Sequence, residues 1–461
     1  MHSHELLFDP ELINRYDRPG PRYTSYPTAT QFHSGFTAAD HSRHARNAAA
    51  LTPALSLYVH LPYCSTICYY CACNKIVTKD RSRAQPYLDR LQRELAMQAE
   101  LVAGTQVEQL HWGGGTPTFI TPAQISALMQ AIDRHFTLSQ AATREFSIEI
   151  DPREAPPATI DLLRQLGFNR LSLGVQDFDP RVQQAVNRIQ PEAITRRAID
   201  AARTAGFDSL SIDLIYGLPR QSVASFATTL DTLIDIAPDR VSLFNYAHMP
   251  ELFKQQRGIN ALELPAPAEK LAILRLAIER LTDAGYVYIG MDHFAKADNA
   301  LTRAQQRGDL YRNFQGYSTH AHCNLLGLGI SAISMLGSSY SQNCRSEAEY
   351  FAAIDQGRLP LFRGVELDAD DLLRRAVITA LICHFQLDIA TIERDHRIDF
   401  SSYFNSEIKA LKPMIEDELL ELDARQITIK PRGKLLIRNI CMVFDRYLAQ
   451  QSVEQRFSRT I

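Results

Sequence analysis

Four cysteines lie close together in the segment HLPYCSTICYYCACNK. Cys64, Cys68 and Cys71 follow the spacing C-x3-C-x2-C, and Cys73 comes two residues later. Three thiolates on one short loop can each ligate one iron of a cubane [4Fe–4S] cluster. Such a ligand set leaves the fourth iron with open coordination, so that iron can bind a substrate or cofactor.

Other interpretations of the cysteines are weaker. Structural zinc normally takes four ligands in two separated pairs, and a reducing cytoplasm disfavours a disulfide framework. A fourth cluster ligand from Cys73 is awkward because one residue separates it from Cys71. The remaining cysteines are scattered, and we expect them to be incidental: Cys323, Cys344, Cys383 and Cys441.

The cysteine loop follows the first of several β-rich segments. Strands are predicted at 56–61, 107–112, 145–150, 170–176, 209–217, 240–246 and 287–294. Segments with helical periodicity lie between them, and three of these end in glycine followed by an aromatic residue, at Gly167, Gly206 and Gly285. The alternation predicts a parallel α/β sheet covered by helices, either a full or partial barrel or an open doubly wound sheet.

A glycine-rich segment, HWGGGTPT at 111–118, follows the second predicted strand. Glycine permits positive φ angles and close approach of the backbone to a ligand. Because the carboxyl ends of parallel strands meet at one edge of a sheet, we expect this segment to lie beside the cysteine loop. No G-x-G-x-x-G follows the first strand, which disfavours a dinucleotide-binding fold.

Two flanking regions differ from the central pattern. Residues 20–32, GPRYTSYPTATQF, have no clear period and predict an extended arm. Near the other end, helices are predicted at 372–383, 390–396 and 403–415, a hairpin at 419–429 and a closing helix at 434–448, which is typical of a winged-helix-like domain. We therefore predict an N-terminal arm at 1–50, a catalytic domain at 51–360 and a helical domain at 361–461.

The composition narrows the class of protein. The 461 residues carry 49 Lys and Arg against 52 Asp and Glu, a formal charge of −3, and 45% are apolar. This balance gives no electrostatic reason to expect a nucleic-acid partner, and no apolar run is long enough for a membrane span. The first residues lack a secretory pattern. We expect a cytoplasmic protein, with a monomer slightly favoured.

The cysteine spacing, its position after a strand and the following GGGTP together resemble the radical S-adenosylmethionine (SAM) superfamily. The resemblance implies a [4Fe–4S] cluster on Cys64, Cys68 and Cys71 whose open iron chelates the amino and carboxylate groups of SAM. It further implies that an electron from the cluster cleaves the sulfonium, giving methionine and a 5′-deoxyadenosyl radical.

Within that superfamily, nearly the whole chain is similar to the oxygen-independent coproporphyrinogen III oxidases. The matching motifs include GPRYTSYPT (20–28), YVHLPYC (58–64), LHWGGGTPT (110–118), IEIDPRE (148–154), LSLGVQDF (171–178) and NYAHMP (245–250). The resemblance implies a partial TIM-like (β/α) barrel with an N-terminal arm and a small, mainly helical, winged-helix-like C-terminal domain. It also implies conversion of two propionates of coproporphyrinogen III to vinyl groups, giving protoporphyrinogen IX in haem biosynthesis. The electron would come from a reductase or a flavodoxin- or ferredoxin-type protein.

The family binds two SAM molecules near one cluster, and this implies two groups of residues here. The positions that match the cluster-bound SAM are Tyr58, Gly114, Glu149 and Ile333. Those that match the second SAM are Tyr70, Gly115, Thr116, Gln176, Arg188, Asp213 and Ala247. Cys73 matches a cysteine that matters for activity without ligating the cluster.

Several points of the sequence interpretation stay open. A haem-binding chaperone built on the same cluster domain is the main alternative, and a radical SAM enzyme acting on RNA is another. The segment STHAHCNLLG (318–327) departs from the family pattern, with Asn324 where an acidic residue is common. We expect His320, His322 and Cys323 there to be ordinary variation and not a second metal site. The arm is our candidate lid, with Arg22, Tyr23 and Tyr26 facing the substrate.

Overall fold

The computed structural model describes residues 6–448 and 457–460. The chain forms two compact units, of which the larger comprises residues 32–276 and 322–366. The smaller is built from the described parts of 1–31, 277–321 and 367–461. The predicted three-part division with boundaries after residues 50 and 360 stays a prediction. Within the described residues, none of the helices combines the length and apolar character needed to cross a membrane.

The larger unit is built on seven parallel strands. They are β1 (Ala54–Leu61), β2 (Gln106–Gly114), β3 (Glu145–Ile150), β4 (Arg170–Gln176), β5 (Ser209–Tyr216), β6 (Arg240–Asn245) and β7 (Asn324–Leu328). The spatial order is β6-β5-β4-β3-β2-β1-β7, and every neighbouring pair is parallel. Three antiparallel strands extend the sheet beyond β7, namely β8 (Ile333–Met335), β9 (Ser339–Asn343) and β10 (Leu361–Glu366). This partial barrel confirms the predicted fold class.

The helices of the larger unit precede or connect its strands. They are Ala38–Leu51, Ala84–Leu101, Pro122–His135, Pro157–Gln165, Pro180–Ala185, Glu192–Thr204, Val223–Ile236 and Glu347–Asp355, and Pro267–Asp283 spans the junction at residue 276 along the chain. Gly167 and Gly206 have φ angles of +97° and +79° just after two of them. The amides of the aromatic residues that follow bond back to the helices, as the glycine–aromatic pattern predicts.

The strands present one apolar and one polar face. In β4, Leu171, Leu173 and Val175 are buried, and the polar or small residues alternate with them. Polar side chains of neighbouring strands meet on the second face: Ser56 Oγ donates to Gln109 Oε1 at 2.8 Å. Because side chains alternate between the two faces of a strand, this face forms a polar surface at the centre of the unit.

The smaller unit differs from prediction in three elements. The single strand predicted at 287–294 is wrong: Gly290 and Met291 adopt positive φ angles, and the segment is a hairpin of Tyr286–Gly290 and His293–Lys296. The predicted 403–415 helix is divided into Phe400–Tyr403 and Asn405–Glu416, and the closing helix is only Ile437–Val443. The predicted hairpin at 419–429 is confirmed by Leu420–Leu422 and Gln426–Ile429, and Gln386–Asp388 adds a third strand.

The other elements of this unit are mainly helical. They are the helices Pro10–Tyr16, Ala300–Arg307, Ala369–His384 and Ile389–His396 and the short strands Tyr311–Asn313 and Gly316–Ser318. Two tyrosines of the arm are buried here. Tyr23 OH donates to Asp445 Oδ2 at 3.0 Å, and Tyr26 OH accepts from the Arg446 amide at 3.1 Å. These buried side chains hold the part of the arm before residue 32 within the smaller unit, which does not favour the substrate-stacking role that we expected for them.

Candidate active site

The cysteine loop is held by backbone contacts at both ends. The short strands Tyr63–Cys64 and Ile76–Val77 pair in parallel, and the Thr78 amide donates to the Cys64 carbonyl at 2.9 Å. Midway along the loop, Asn187 Nδ2 donates to the Ile67 carbonyl at 2.7 Å. The loop therefore has a fixed position beyond the carboxyl end of β1, next to the segment that follows β4.

Hydrogen-bond donors and cations surround the thiols. Thr116 Oγ1 lies 3.5 Å from Cys64 Sγ, and Arg188 Nη1 lies 3.6 Å from Cys68 Sγ. Lys75 Nζ donates to the carbonyls of Cys71 and Cys73 at 3.3 and 3.4 Å. Thiolates are the ligands of iron–sulfur clusters and are favoured near positive charge, so this donor set fits a cluster.

Cys73 lies beside Cys71 and takes part in its electrostatics. A hydrogen bond from the Cys73 thiol, together with the Lys75 ammonium, lowers the pKa of Cys71 to about 6 although burial opposes the change. Cys73 itself shows a pKa well above its usual value, because it shares that hydrogen bond with Cys71 and faces its charge. The structure thus brings the fourth cysteine to the triad.

The glycine run packs directly against the start of the cysteine loop. The Gly115 amide donates to the Leu61 carbonyl at 2.9 Å, and the Thr116 amide donates to the Tyr63 carbonyl at 2.8 Å. A Cβ atom on Gly115 would lie 2.6 Å from the Pro62 carbonyl oxygen. Glycine is therefore required at 115 by close backbone approach, as the sequence predicts for this edge of the sheet.

An acid and three aromatic rings form the adjoining polar face. Glu149 accepts from the Gly114 amide at 3.3 Å and from His111 Nε2 at 3.2 Å. The Tyr58 ring stacks on His111 with centroids 5.8 Å apart, and its hydroxyl lies 3.0 Å from His60 Nδ1. Burial alone raises the pKa of Glu149, but the His111 and Gly114 contacts outweigh it and lower the pKa. The carboxylate is therefore held in its ionised form.

A buried arginine lies at the end of β4. Arg188 is 6% exposed, and its Nη1 atom contacts Asp151 Oδ2 at 2.9 Å while Nη2 donates to the Gly174 carbonyl. Arg188 Nε and the side-chain oxygen of nearby Gln176 are buried without a hydrogen-bond partner among the described residues. Buried polar groups are normally satisfied, so these atoms fit a site for a polar ligand such as SAM.

Gln176 also has an unusual backbone. Its φ angle is +73°, and the pairing of β4 with β5 shifts register between Gly174 and Gln176. A β-bulge of this kind re-aims a side chain and is frequent beside active sites. The Gln176 amide nitrogen and the Arg188 guanidinium both approach the position that a Cβ atom on Gly174 would occupy, at 3.0 and 3.2 Å.

The remaining predicted residues lie on the same sheet or its loops. Asp213 on β5 accepts from Ser172 Oγ at 3.3 Å, and burial raises its pKa to about 6. Gln256 Nε2 bridges the carbonyls of Tyr70 and Ala247, at 3.4 and 3.2 Å. Ile333 lies against Gly327, the residue that pairs with Tyr58.

The structure thus brings the predicted residues onto one polar face and its carboxyl edge. Their individual roles stay predictions. Sequence reasoning missed three residues that the geometry adds: His60, His111 and Asp151. All three occur inside the family motifs of the sequence, and His60 and His111 alternate with buried apolar residues, a signal of the polar face.

The chain is similar in sequence to proteins of known family. The sequence profile of the Radical SAM superfamily matches residues 58–233, and that of the HemN C-terminal domain matches residues 367–436. The oxygen-independent coproporphyrinogen III oxidase of Pseudomonas aeruginosa is 53% identical over 99% of this chain and 99% of its own. The Escherichia coli protein of the same name is 48% identical over the full length of both chains.

A solved structure is similar throughout the fold. It is the coproporphyrinogen III oxidase (HemN) from Escherichia coli, described as a radical SAM enzyme. The two chains share 47% identity with a TM-score of 0.92, and the match covers 96% of this chain and 100% of the other.

Proposed function

The chain belongs to the family of oxygen-independent coproporphyrinogen III oxidases, and we propose that it converts two propionates of coproporphyrinogen III to vinyl groups. The products are protoporphyrinogen IX and two CO2, as in haem biosynthesis, and each propionate gives up one hydrogen atom to the SAM-derived radical and one electron to an external electron acceptor. The observation that carries the proposal is the three-thiol loop beside the buried Arg188 and the partly exposed Glu149, in a chain similar to these oxidases along its whole length.

The protein's own residues would hold the cofactors. We assign Cys64, Cys68 and Cys71 as ligands of one [4Fe–4S] cluster. The cluster and SAM, when bound, supply the one-electron chemistry that removes a hydrogen atom from the propionate. Thr116 and Arg188 place hydrogen-bond donors beside two of the thiols, contacts that suit the sulfur atoms of a bound cluster.

Two groups of side chains would bind two SAM molecules. Tyr58, Gly114, Glu149 and Ile333 form the group for the cluster-bound molecule. Tyr70, Gly115, Thr116, Gln176, Arg188, Asp213 and Ala247 form the group for the second. Glu149 and Asp213 suit ribose hydroxyls or the positive sulfonium and amino groups, and the free Nε atom of Arg188 suits a carboxylate. We assign Cys73 a supporting catalytic role.

We also propose an electron donor, a cellular location and an oligomeric state for the protein. A reductase or a flavodoxin- or ferredoxin-type protein would supply the electron. We propose a cytoplasmic monomer, with the arm as a lid that limits access of water.

The test is an anaerobic assay of the reconstituted protein with coproporphyrinogen III, SAM and a chemical reductant. We expect protoporphyrinogen IX, with about two SAM consumed per substrate because each propionate needs one hydrogen abstraction. Stable haem binding without any vinyl product would instead identify a chaperone and overturn the oxidase proposal.

His111 is expected to act as a positioning residue for Glu149. His111→Phe keeps a ring for Tyr58 to stack on but removes the donor to the carboxylate. A hydrogen bond to a charged group contributes about 1.5 kcal/mol or more, so the KM for SAM should rise about tenfold with little change in kcat. Iron content should stay unchanged. The matched variant His111→Gln retains a donor and should lose less, and equal KM values for all three proteins would contradict the role.

Asp213 is expected to reduce the stability of the SAM-free protein at neutral pH. With its pKa raised to about 6 by burial, the folded state keeps a proton that the unfolded chain releases near pH 4. The free energy of unfolding should therefore fall as pH rises from about 4 to 6, by at most about 3 kcal/mol.

Asp213→Asn removes this titration. The variant should resist denaturant better than the wild type at pH 8, with an advantage that shrinks towards pH 5, while its SAM affinity falls. Asp133→Asn, at an exposed helical position, is the matched control. A stability difference that is the same at both pH values would contradict the prediction.

A further inference from the structure

A second cluster of metal-ligating side chains lies away from the candidate active site. It comprises Glu108, His322 and Cys323, whose ligand atoms all lie within 4.8 Å of one another. His322 Nε2 is 2.8 Å from Glu108 Oε2. Cys323 is only 5% exposed, whereas the side chains of His322 and Glu108 are 56% and 31% exposed. A cation could therefore enter from solvent and meet a buried sulfur atom.

Strand register explains why these residues meet. Leu55 of β1 pairs with Val107 of β2 on one side and with Asn324 of β7 on the other. The pairing of β1 with β2 shifts directly after Leu55, which leaves Glu108 as the extra residue of a β-bulge. A bulge re-aims a side chain, and the Glu108 carboxylate reaches the two residues that precede β7. The cluster lies at the amino end of β1, opposite to the cysteine loop.

We propose that Glu108, His322 and Cys323 form a zinc site, with water as the fourth ligand. Zinc binds carboxylate oxygen, imidazole nitrogen and thiolate sulfur in tetrahedral sets, and nitrogen and sulfur ligands disfavour Mg²⁺ and Ca²⁺. Zinc–ligand bonds of about 2.0–2.3 Å place neighbouring ligand atoms about 3.3–3.7 Å apart. The present arrangement thus needs only small side-chain adjustments.

Zinc binding changes the protonation of His322 and Cys323 and releases one proton in total. Zinc replaces the contact between His322 and Glu108, so the Nε2 atom turns its lone pair to the metal and the ring proton resides on Nδ1. The Cys323 thiol loses its proton to solvent. One Zn²⁺ enters and one proton leaves, and the carboxylate and thiolate neutralise the ion. The bound metal would fasten the segment before β7 to β2.

This assignment replaces our expectation of ordinary variation for His322 and Cys323, whereas His320 does not belong to the proposed site. The sequence could not reveal the third ligand, because Glu108 is 214 positions from His322. The inference also stands apart from the proposed oxidase function, since none of the three residues belongs to the candidate active site.

The test uses cluster-loaded protein, because the cluster then occupies the thiols of Cys64, Cys68 and Cys71. The protein is equilibrated anaerobically with excess ZnCl2, desalted, and assayed for both metals. We expect about four iron atoms and about one zinc ion per chain, and zinc X-ray absorption should show one sulfur neighbour at about 2.3 Å. Zinc should also raise the melting temperature.

Four variants decide the assignment. Cys323→Ser and His322→Ala should each lose at least about nine-tenths of the bound zinc, since three-ligand sites depend on every ligand. His322 is exposed, so its replacement should not impair folding. Cys344→Ser and His135→Ala, a cysteine and an exposed histidine elsewhere, should keep it. No zinc on the wild type, zinc without a sulfur neighbour, or full zinc on both ligand variants would overturn the proposal.

Discussion

Replacing any one of Cys64, Cys68 or Cys71 with alanine is expected to abolish the cluster and the activity together. Each thiolate would hold a different iron, so none can substitute for another. The visible absorbance of the reconstituted cluster should disappear, and turnover of coproporphyrinogen III should fall at least about a thousandfold, because the hydrogen abstraction has no other electron source. Iron analysis and the anaerobic assay measure both effects.

Two control variants make this prediction specific. Cys344→Ala changes a half-buried cysteine far along the chain and should keep cluster and activity. Cys73→Ala should keep the iron but lose turnover, because we assign Cys73 a role other than cluster ligand. A full complement of iron in any of the three ligand variants would contradict the ligand assignment, and loss of iron in Cys73→Ala would make Cys73 a ligand.

The sequence predicted the central fold well because its signals are local. The predicted strands at 145–150 and 170–176 have the same bounds as β3 and β4, since short apolar runs flanked by turn residues identify buried strands. Gly167 and Gly206 fulfilled the helix-cap prediction for the same reason. The seventh parallel strand, Asn324–Leu328, was missed because five residues without a clear period carry little information.

Some features of the candidate site are visible in the sequence, and others depend on tertiary packing. The cysteines and the glycine run were visible as motifs, and their proximity follows from the parallel order of β1 and β2. The bridging of two backbone carbonyls by Gln256 depends on tertiary packing, and so does the approach of Glu108 to His322. Contacts between residues this distant in the chain have no periodicity or spacing from which to infer them.

The second large effect is expected for Gly115→Ala, which adds a single methyl group. The new Cβ would lie 2.6 Å from the Pro62 carbonyl oxygen and 2.8 Å from that of Tyr63. Both obstacles are backbone atoms, so no side-chain rotation can relieve the collision. The two carbonyls immediately precede Cys64, and the methyl group must therefore push the cysteine loop away from β2.

A displacement of about 1 Å at a site of this kind can reduce turnover about a hundredfold, and we expect at least that loss for Gly115→Ala. Iron content should fall as well, because Cys64 moves with the loop. Gly206→Ala is the matched control: a Cβ there meets nothing within 4 Å, although φ is +79°. It should cost about 1 kcal/mol of stability and leave iron and activity intact. Normal kcat and iron content in Gly115→Ala would show that the loop can move without consequence, contrary to a rigid loop that sets the position of the cluster.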